Sequence, residues 1–65
     1  MNTLKTVYDV RQLLKKYGSI VYTRDRSLDL TLMEEELREL HEWKMIEKDV
    51  YLQGLLILQN EKKQV

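Results

Sequence analysis

The chain has 65 residues, 34% of them charged and 43% hydrophobic, and its 11 Lys and Arg balance its 11 Asp and Glu. This composition excludes an intrinsically disordered chain, which combines low hydrophobicity with high net charge, and the length allows one domain. The absence of cysteine excludes disulfide scaffolds and thiolate zinc sites, and it agrees with a cytoplasmic location. No stretch approaches the roughly 20 apolar residues that a membrane-spanning helix needs, so we expect no membrane association.

The first predicted helix covers residues 6–17. Its apolar residues lie three or four positions apart on one face: Val7, Val10, Leu14 and Tyr17. Thr6 and Asp9 resemble a capping box at the start of this helix, and Gly18 can take the left-handed backbone that ends many helices. Residues 19–26 then place β-branched side chains around Tyr22, which favours extended backbone over helix. We expect this segment to be an apolar linker held against the core.

The second predicted helix covers residues 27–43, with Asp25 or Ser27 as its N-terminal cap. Its apolar residues form a single stripe at spacings of three and four: Leu30, Met33, Leu37 and Leu40. Glu34 stands four residues before Arg38, a spacing that predicts an exposed ion pair along the helix.

The third predicted helix covers residues 48–62, after a short turn over residues 44–47. Its apolar side chains are distributed around most of the circumference of the helix: Val50, Tyr51, Leu52, Leu55, Leu56, Ile57 and Leu58. Because such a helix is normally buried on all sides, we expect either that the linker covers it or that it forms a self-association surface. Gly54 costs about 1 kcal/mol relative to alanine inside a helix, which predicts a close helix crossing there.

These elements predict an all-α protein, a compact three-helix bundle with an extended apolar linker between helices one and two. The bundle forms a single domain over residues 1–65.

Side chains that could support catalysis are few. His41 and Glu42 match the start of the H-E-x-x-H zinc motif, but Met45 occupies the position of its second histidine, which leaves too few ligands. Five carboxylates line the outside of the second predicted helix, where we interpret them as a solvated face: Glu34, Glu35, Glu36, Glu39 and Glu42. We therefore expect a non-enzymatic protein with no metal and no cofactor.

Charge is distributed unevenly along the chain. Residues 1–26 hold six basic and two acidic residues, a net charge of +4, whereas residues 27–51 hold three and eight, a net charge of −5. The first of these segments combines cations with aromatic rings in one predicted surface: Tyr8, Arg11, Lys15, Lys16, Tyr22, Arg24 and Arg26. Binding of single-stranded RNA or DNA needs this pairing, because cations neutralise phosphates and flat rings stack on unpaired bases.

Two other interpretations compete with nucleic-acid binding. Tyr17 and Tyr22 can be core residues that place only their hydroxyls at the surface. The unlike charges of the first two segments can also serve association, with the apolar third helix and the acidic second helix contacting a protein partner or a second copy in a homo-oligomer.

Three blocks of sequence carry a resemblance to a known family. They run from Tyr8 to Gly18, from Ile20 to Tyr22 together with Asp25 and Arg26, and from Leu32 to Leu40. In order and spacing they resemble the YqgQ-like family of small bacterial proteins of unknown function. The resemblance implies a three-helix bundle, no established enzymatic activity and a suggested role in binding single-stranded nucleic acid. It also implies glycine before Asp25, where this chain has Arg24.

Overall fold

Three helices account for most of the chain. The computed structural model describes residues 4–64, in which α1 spans Val7–Lys16, α2 spans Arg26–Glu42 and α3 spans Lys48–Lys62. No strand occurs within that described part of the chain, and the prediction of an all-α three-helix bundle is confirmed. The predicted domain also included residues 1–3 and 65, which lie outside the described residues.

Side-chain caps set where α1 and α2 begin. The hydroxyl of Thr6 accepts a hydrogen bond from the backbone N–H of Asp9 at 3.2 Å, and the Asp9 carboxylate accepts one from the N–H of Thr6 at 3.1 Å, so the predicted capping box is present. The N–H of Lys5 also donates to this carboxylate, and these two backbone bonds, that of Lys5 first, hold the pKa of Asp9 below its ordinary value. Of the two candidate caps of α2, Asp25 has that role: its carboxylate accepts from the N–H of Leu28 at 3.2 Å. Thr6 and Asp25 therefore precede the helices by one residue.

Left-handed residues end the same two helices. At the end of α1, Gly18 has a φ of 87°, and the N–H of Ser19 donates back to the Leu14 carbonyl at 2.9 Å. This arrangement is the Schellman motif, which satisfies carbonyl groups that the helix leaves without a partner. At the end of α2 the corresponding position is Lys44, with a φ of 61°, so a residue with a side chain adopts a backbone conformation that favours glycine.

The apolar stripes meet in one core. Its buried hydrophobic members come from all three helices and the turn before α3: Val10, Leu14, Leu30, Met33, Leu37, Ile46, Val50 and Leu58. Half-buried side chains, including Tyr17 and Leu40 from the predicted stripes, pack around them. The radius of gyration of 10.8 Å equals the value of about 11 Å that chain length alone gives for a well-packed domain.

The tightest helix contact lies at Gly54. This glycine is buried in α3 against α2, where a Cβ atom added to it would stand 2.8 Å from Cδ1 of Leu37. Since carbon atoms normally approach to about 3.5–4.0 Å, only a residue without a side chain fits here unless Leu37 moves. The predicted close crossing is confirmed, and it explains why a weak helix former stands in the middle of α3.

The expectation that the linker covers α3 is wrong. The linker is instead bonded to α1 and α2, through Arg11 and Asp29. The third helix buries only the face that carries Val50, Gly54 and Leu58, while Leu52 and Leu56 stay exposed on the opposite side. The other expectation for α3, that it forms a self-association surface, stays a prediction.

The expected ion pair between Glu34 and Arg38 is also wrong. Among the described residues, the Glu34 carboxylate lies 3.3 Å from the ammonium group of Lys62, near the end of α3. Glu34 is half-buried on the side of α2 that faces α3, so a partner from the neighbouring helix reaches it where the exposed Arg38 does not. The pair joins two helices rather than supporting one.

Candidate nucleic-acid interface

The position of the linker is fixed by Arg11 on α1. The guanidinium group of Arg11 donates to the backbone carbonyl of Val21 at 2.6 Å and lies 3.7 Å from the carboxylate of Asp29. The side chain is partly buried between these groups. Arg11 therefore ties the linker to both α1 and α2, and its charge is already engaged inside the protein.

Asp29 is the second anchor of the linker. It is only 3% exposed, and its carboxylate accepts hydrogen bonds from the hydroxyl of Thr23 at 2.6 Å and from the N–H of Thr23 at 2.8 Å. The Thr23 hydroxyl bond is the main cause that holds the pKa of Asp29 below its ordinary value, opposed by burial and helped by the Thr23 N–H and by Arg11. The carboxylate is charged at neutral pH and each of its oxygens has a partner.

These two anchors determine the orientation of Tyr22. Successive side chains of an extended segment point to opposite sides. Val21 packs against the core and the Thr23 side chain bonds to Asp29, so Tyr22 between them points away from the protein and is 70% exposed. The interpretation of Tyr22 as a core residue is therefore wrong. The same interpretation is confirmed for Tyr17, which is half-buried and donates its hydroxyl to the Met45 carbonyl at 3.1 Å.

A groove of about 200 Å³ separates α1 from the linker. Its floor is formed by the buried side chains of Leu14 and Met33. One wall carries Lys15 and the other carries Ile20, a strongly exposed apolar residue. The groove thus combines an apolar floor with a cation on its rim, and it lies beside Arg11, one of the two anchors that orient Tyr22.

The seven predicted site residues do not form one surface. Tyr8, Arg11 and Lys15 share the outer side of α1, and Arg11 connects this side to the linker at Val21, the residue before Tyr22. Lys16 instead lies on the other flank of α1, where it borders a separate cavity near the turn before α3. Arg24 is exposed in the linker and has a left-handed backbone, with a φ of 69°. The guanidinium group of Arg26 lies 2.7 Å from the carboxylate of Glu61 on α3.

One ion pair, Arg11 with Asp29, joins the two oppositely charged segments directly. The other two ion pairs found within residues 4–64 join each of these segments to the end of α3: Arg26 with Glu61, and Glu34 with Lys62. Two cations of the predicted basic surface are therefore partly neutralised within the protein. Lys15 and Arg24 are exposed and have no ion-pair partner in the described part of the chain.

Asp29 is the residue of this site that sequence reasoning missed. A signal was present, because Asp29 lies four residues before Met33 and eight before Leu37, on the stripe of α2 that faces the core. A charged residue at such a position must find partners, since burial of an isolated charge is strongly unfavourable.

Other kinds of site have little support in residues 4–64. No group of three or more His, Cys, Asp or Glu side chains is arranged there to hold a metal ion, and none of the helices is long and apolar enough to cross a membrane. His41 stacks on Tyr51, with ring centroids 4.7 Å apart and planes 4° from parallel. The single histidine thus packs against an aromatic ring at the rim of the α2–α3 contact.

Comparison with known proteins places the chain in a family. The model of the YqgQ-like family matches residues 4–64. A relative from Bacillus subtilis (strain 168), described as "Uncharacterized protein YqgQ", is 44% identical over 61 residues that cover 94% of this chain and 86% of the relative. The resemblance seen in the sequence blocks is confirmed, and the chain belongs to the YqgQ-like family.

Proposed function

We propose that this protein is a non-enzymatic cytoplasmic module that binds single-stranded RNA or DNA. The binding surface, here called the α1–linker face, consists of Tyr8, Arg11, Lys15, Tyr22 and Arg24. The observation that carries the proposal is the outward orientation of Tyr22, which is fixed by partly buried hydrogen bonds on either side of it and is 70% exposed. Tyr8 is 66% exposed, which gives the face a second ring.

The residues of the α1–linker face have three roles in the proposal. Tyr8 and Tyr22 offer rings for base stacking, a contact worth about 1–3 kcal/mol per base. Lys15 and Arg24 contact phosphates, because neither has an acidic partner in residues 4–64. Arg11 is a positioning residue that holds the linker in place. Lys16 and Arg26 are left at the margin, on the far flank of α1 and in the pair with Glu61.

The number of free cations sets the expected salt dependence. With two phosphate contacts on a single strand, from Lys15 and Arg24, the logarithm of the affinity falls with the logarithm of salt concentration at a slope of about −1.4. Between 50 and 200 mM salt this slope weakens binding by roughly sevenfold.

Fluorescence anisotropy of labelled dT and rU oligonucleotides, titrated with the protein at low and high salt, tests the proposal. Lys15→Gln is expected to weaken binding and to reduce the salt slope by about 0.7. Lys63→Gln is the matched control, because it removes the same charge from an exposed position at the end of α3 and is expected to leave the affinity nearly unchanged. Absence of saturable, salt-sensitive binding below about 100 µM would refute the proposal.

Self-association is the second candidate function, and one feature of α3 favours it. Leu52 and Leu56 stand one turn apart on α3 and are both exposed, Leu56 by 59%. An interface here would use this face of α3 together with the acidic side of α2. Sedimentation at increasing concentration tests it, with Leu56→Asp as the variant: because Leu56 is exposed, the change is expected to abolish association without loss of helix content. A wild-type protein that stays monomeric at high concentration would exclude this candidate.

A further inference from the structure

A second groove, of about 260 Å³, lies on the side of α2 that carries its carboxylates. We call it the Trp43 groove, and its lining consists of Ser19, Glu36, Glu39, Leu40, Trp43 and Met45. Trp43 is the only tryptophan of the chain and is 78% exposed, and Met45 beside it is exposed as well. The largest apolar side chain of the protein is therefore left in water at the edge of a groove.

The end of α2 builds this groove. Trp43 is the C-cap residue of α2, and the left-handed backbone of Lys44 reverses the direction of the chain after it. The N–H of Met45 then donates to the Leu40 carbonyl at 2.8 Å, which brings the side chains of Met45 and Leu40 to the same groove. A hydrophobic contact between these two positions is typical of the Schellman motif. The apolar part of the groove is thus held by backbone hydrogen bonds.

One of the two carboxylates along the groove is also held in place. Glu36 accepts a hydrogen bond from the hydroxyl of Ser19 at 2.6 Å, which ties it to the residue that follows α1. Glu39 stands three residues further along α2, on the same side as Trp43. Within residues 4–64 no lysine or arginine lines the groove, so the only charged groups on its lining are the two carboxylates.

We propose that the Trp43 groove docks a basic amphipathic segment of a partner protein. An apolar side chain of the segment packs against Trp43, Leu40 and Met45, while flanking Lys or Arg side chains pair with Glu36 and Glu39. Charge complementarity selects this occupant, because the same carboxylates repel the phosphates of a nucleic acid. Exposed tryptophan beside a pocket is the kind of residue that supplies much of the energy in protein interfaces, and helix-in-groove recognition uses such anchors.

The proposal is independent of nucleic-acid binding, because the Trp43 groove and the α1–linker face share no aromatic residue and no cation. Failure of one binding activity therefore leaves the other in place.

Trp43 itself reports on the groove through its fluorescence. The probe is an acetylated and amidated helical peptide of Leu and Lys with its Leu residues on one face, and the control peptide has Glu at every Lys position. We expect the Lys peptide to shift Trp43 emission to the blue in a saturable manner, with half-saturation below about 100 µM, while the Glu peptide has no effect. An equal shift with the Glu peptide, or no shift with either, would overturn the proposal.

Variants separate specific docking from general charge attraction. Glu36→Gln with Glu39→Gln is expected to weaken binding of the Lys peptide about fivefold, the effect of two exposed ion pairs. Glu35→Gln with Glu42→Gln is the matched control, since it removes the same charge from α2 outside the groove and should leave the affinity unchanged.

Three further results would contradict the assignment. The first is an equal loss of affinity in both double variants. The second is an unchanged affinity of the Trp43→Ala variant for a labelled Lys peptide, because we expect this variant to bind the peptide about thirtyfold more weakly. The third is a blue shift of the protein alone as its concentration rises, because that result would identify a second copy as the occupant.

Discussion

Gly54→Ala is the substitution whose effect the structure determines most closely. Inside a helix, alanine is more stabilising than glycine by about 1 kcal/mol. Against this gain, the new Cβ would stand 2.8 Å from Cδ1 and 3.5 Å from Cδ2 of Leu37, a fully buried side chain with little room to move. Overpacking of this kind costs about 1–3 kcal/mol. We therefore expect Gly54→Ala to lower the free energy of unfolding by about 1 kcal/mol.

The test of this reasoning is a double-mutant cycle with Leu37→Val. Valine lacks the δ-carbons, so the two contacts with Leu37 disappear and only Cδ1 of Leu4 remains near the new Cβ, at 3.4 Å. In that background Gly54→Ala is expected to stabilise the protein by up to about 1 kcal/mol, a reversal of sign. Urea titration followed by circular dichroism measures all four proteins. Additive effects, within about 0.5 kcal/mol, would refute the argument that steric contact with Leu37 requires glycine.

Five other outcomes follow from single positions. Lys44→Gly is expected to raise the free energy of unfolding by about 1 kcal/mol, because it relieves left-handed strain, and Gly18→Ala is expected to lower it by a similar amount; equal stabilities in urea titrations would contradict both. Asp29→Asn is expected to lower stability at neutral pH. The native pKa of Asp29 is depressed, so the carboxylate contributes its full stabilisation at pH values above the ordinary pKa of 3.8 and loses it as the pH falls through the native pKa. The free energies of unfolding of the wild type and of Asp29→Asn should therefore converge in acid. Arg24→Gly should keep or improve stability, measured by thermal melting, while it weakens oligonucleotide binding in the anisotropy titration. Emission of Trp43 is expected to shift little on unfolding in urea, because the indole is already exposed, and a large red shift would contradict its placement.

Local patterns predicted the helices well. Apolar spacing identified the faces of α1 and α2 that reach the core, and the capping box at Thr6 located the start of α1 within one residue. These features depend on neighbours three or four positions apart, which the sequence displays directly. The close crossing at Gly54 could also be predicted, because a glycine inside a helix is unfavourable unless packing requires it.

Contacts between distant positions could not be predicted in the same way. Glu34 has a possible local partner in Arg38 but pairs with Lys62, 28 residues away, because the packing of α3 decides which side of α2 is half-buried. The orientation of Tyr22 depends on the bonds that Val21 and Thr23 make with Arg11 and Asp29. Alternation along an extended segment is visible in the sequence, but the side that faces the core is set by these tertiary anchors.

Charge balance illustrates the same limit. The net charges of +4 and −5 belong to neighbouring segments of the chain, but within residues 4–64 the pair of Arg11 with Asp29 joins these segments directly, and Arg26 is engaged by Glu61 of α3. The remaining charges are local: Lys15 and Arg24 are exposed cations without an ion-pair partner in residues 4–64, and Glu36 and Glu39 line the Trp43 groove. The two proposed binding activities use these two local surfaces, one for polyanions and one for basic peptides.

The most direct test of the central proposal is an NMR titration of the ¹⁵N-labelled protein with a short dT oligonucleotide. We predict saturable shifts for the amides around Tyr8, Lys15 and Tyr22, with the indole N–H signal of Trp43 unchanged, because the α1–linker face and the Trp43 groove are separate surfaces. The absence of saturable shifts, or shifts centred on Trp43 and the carboxylates of α2, would contradict the assignment of nucleic-acid binding to the α1–linker face.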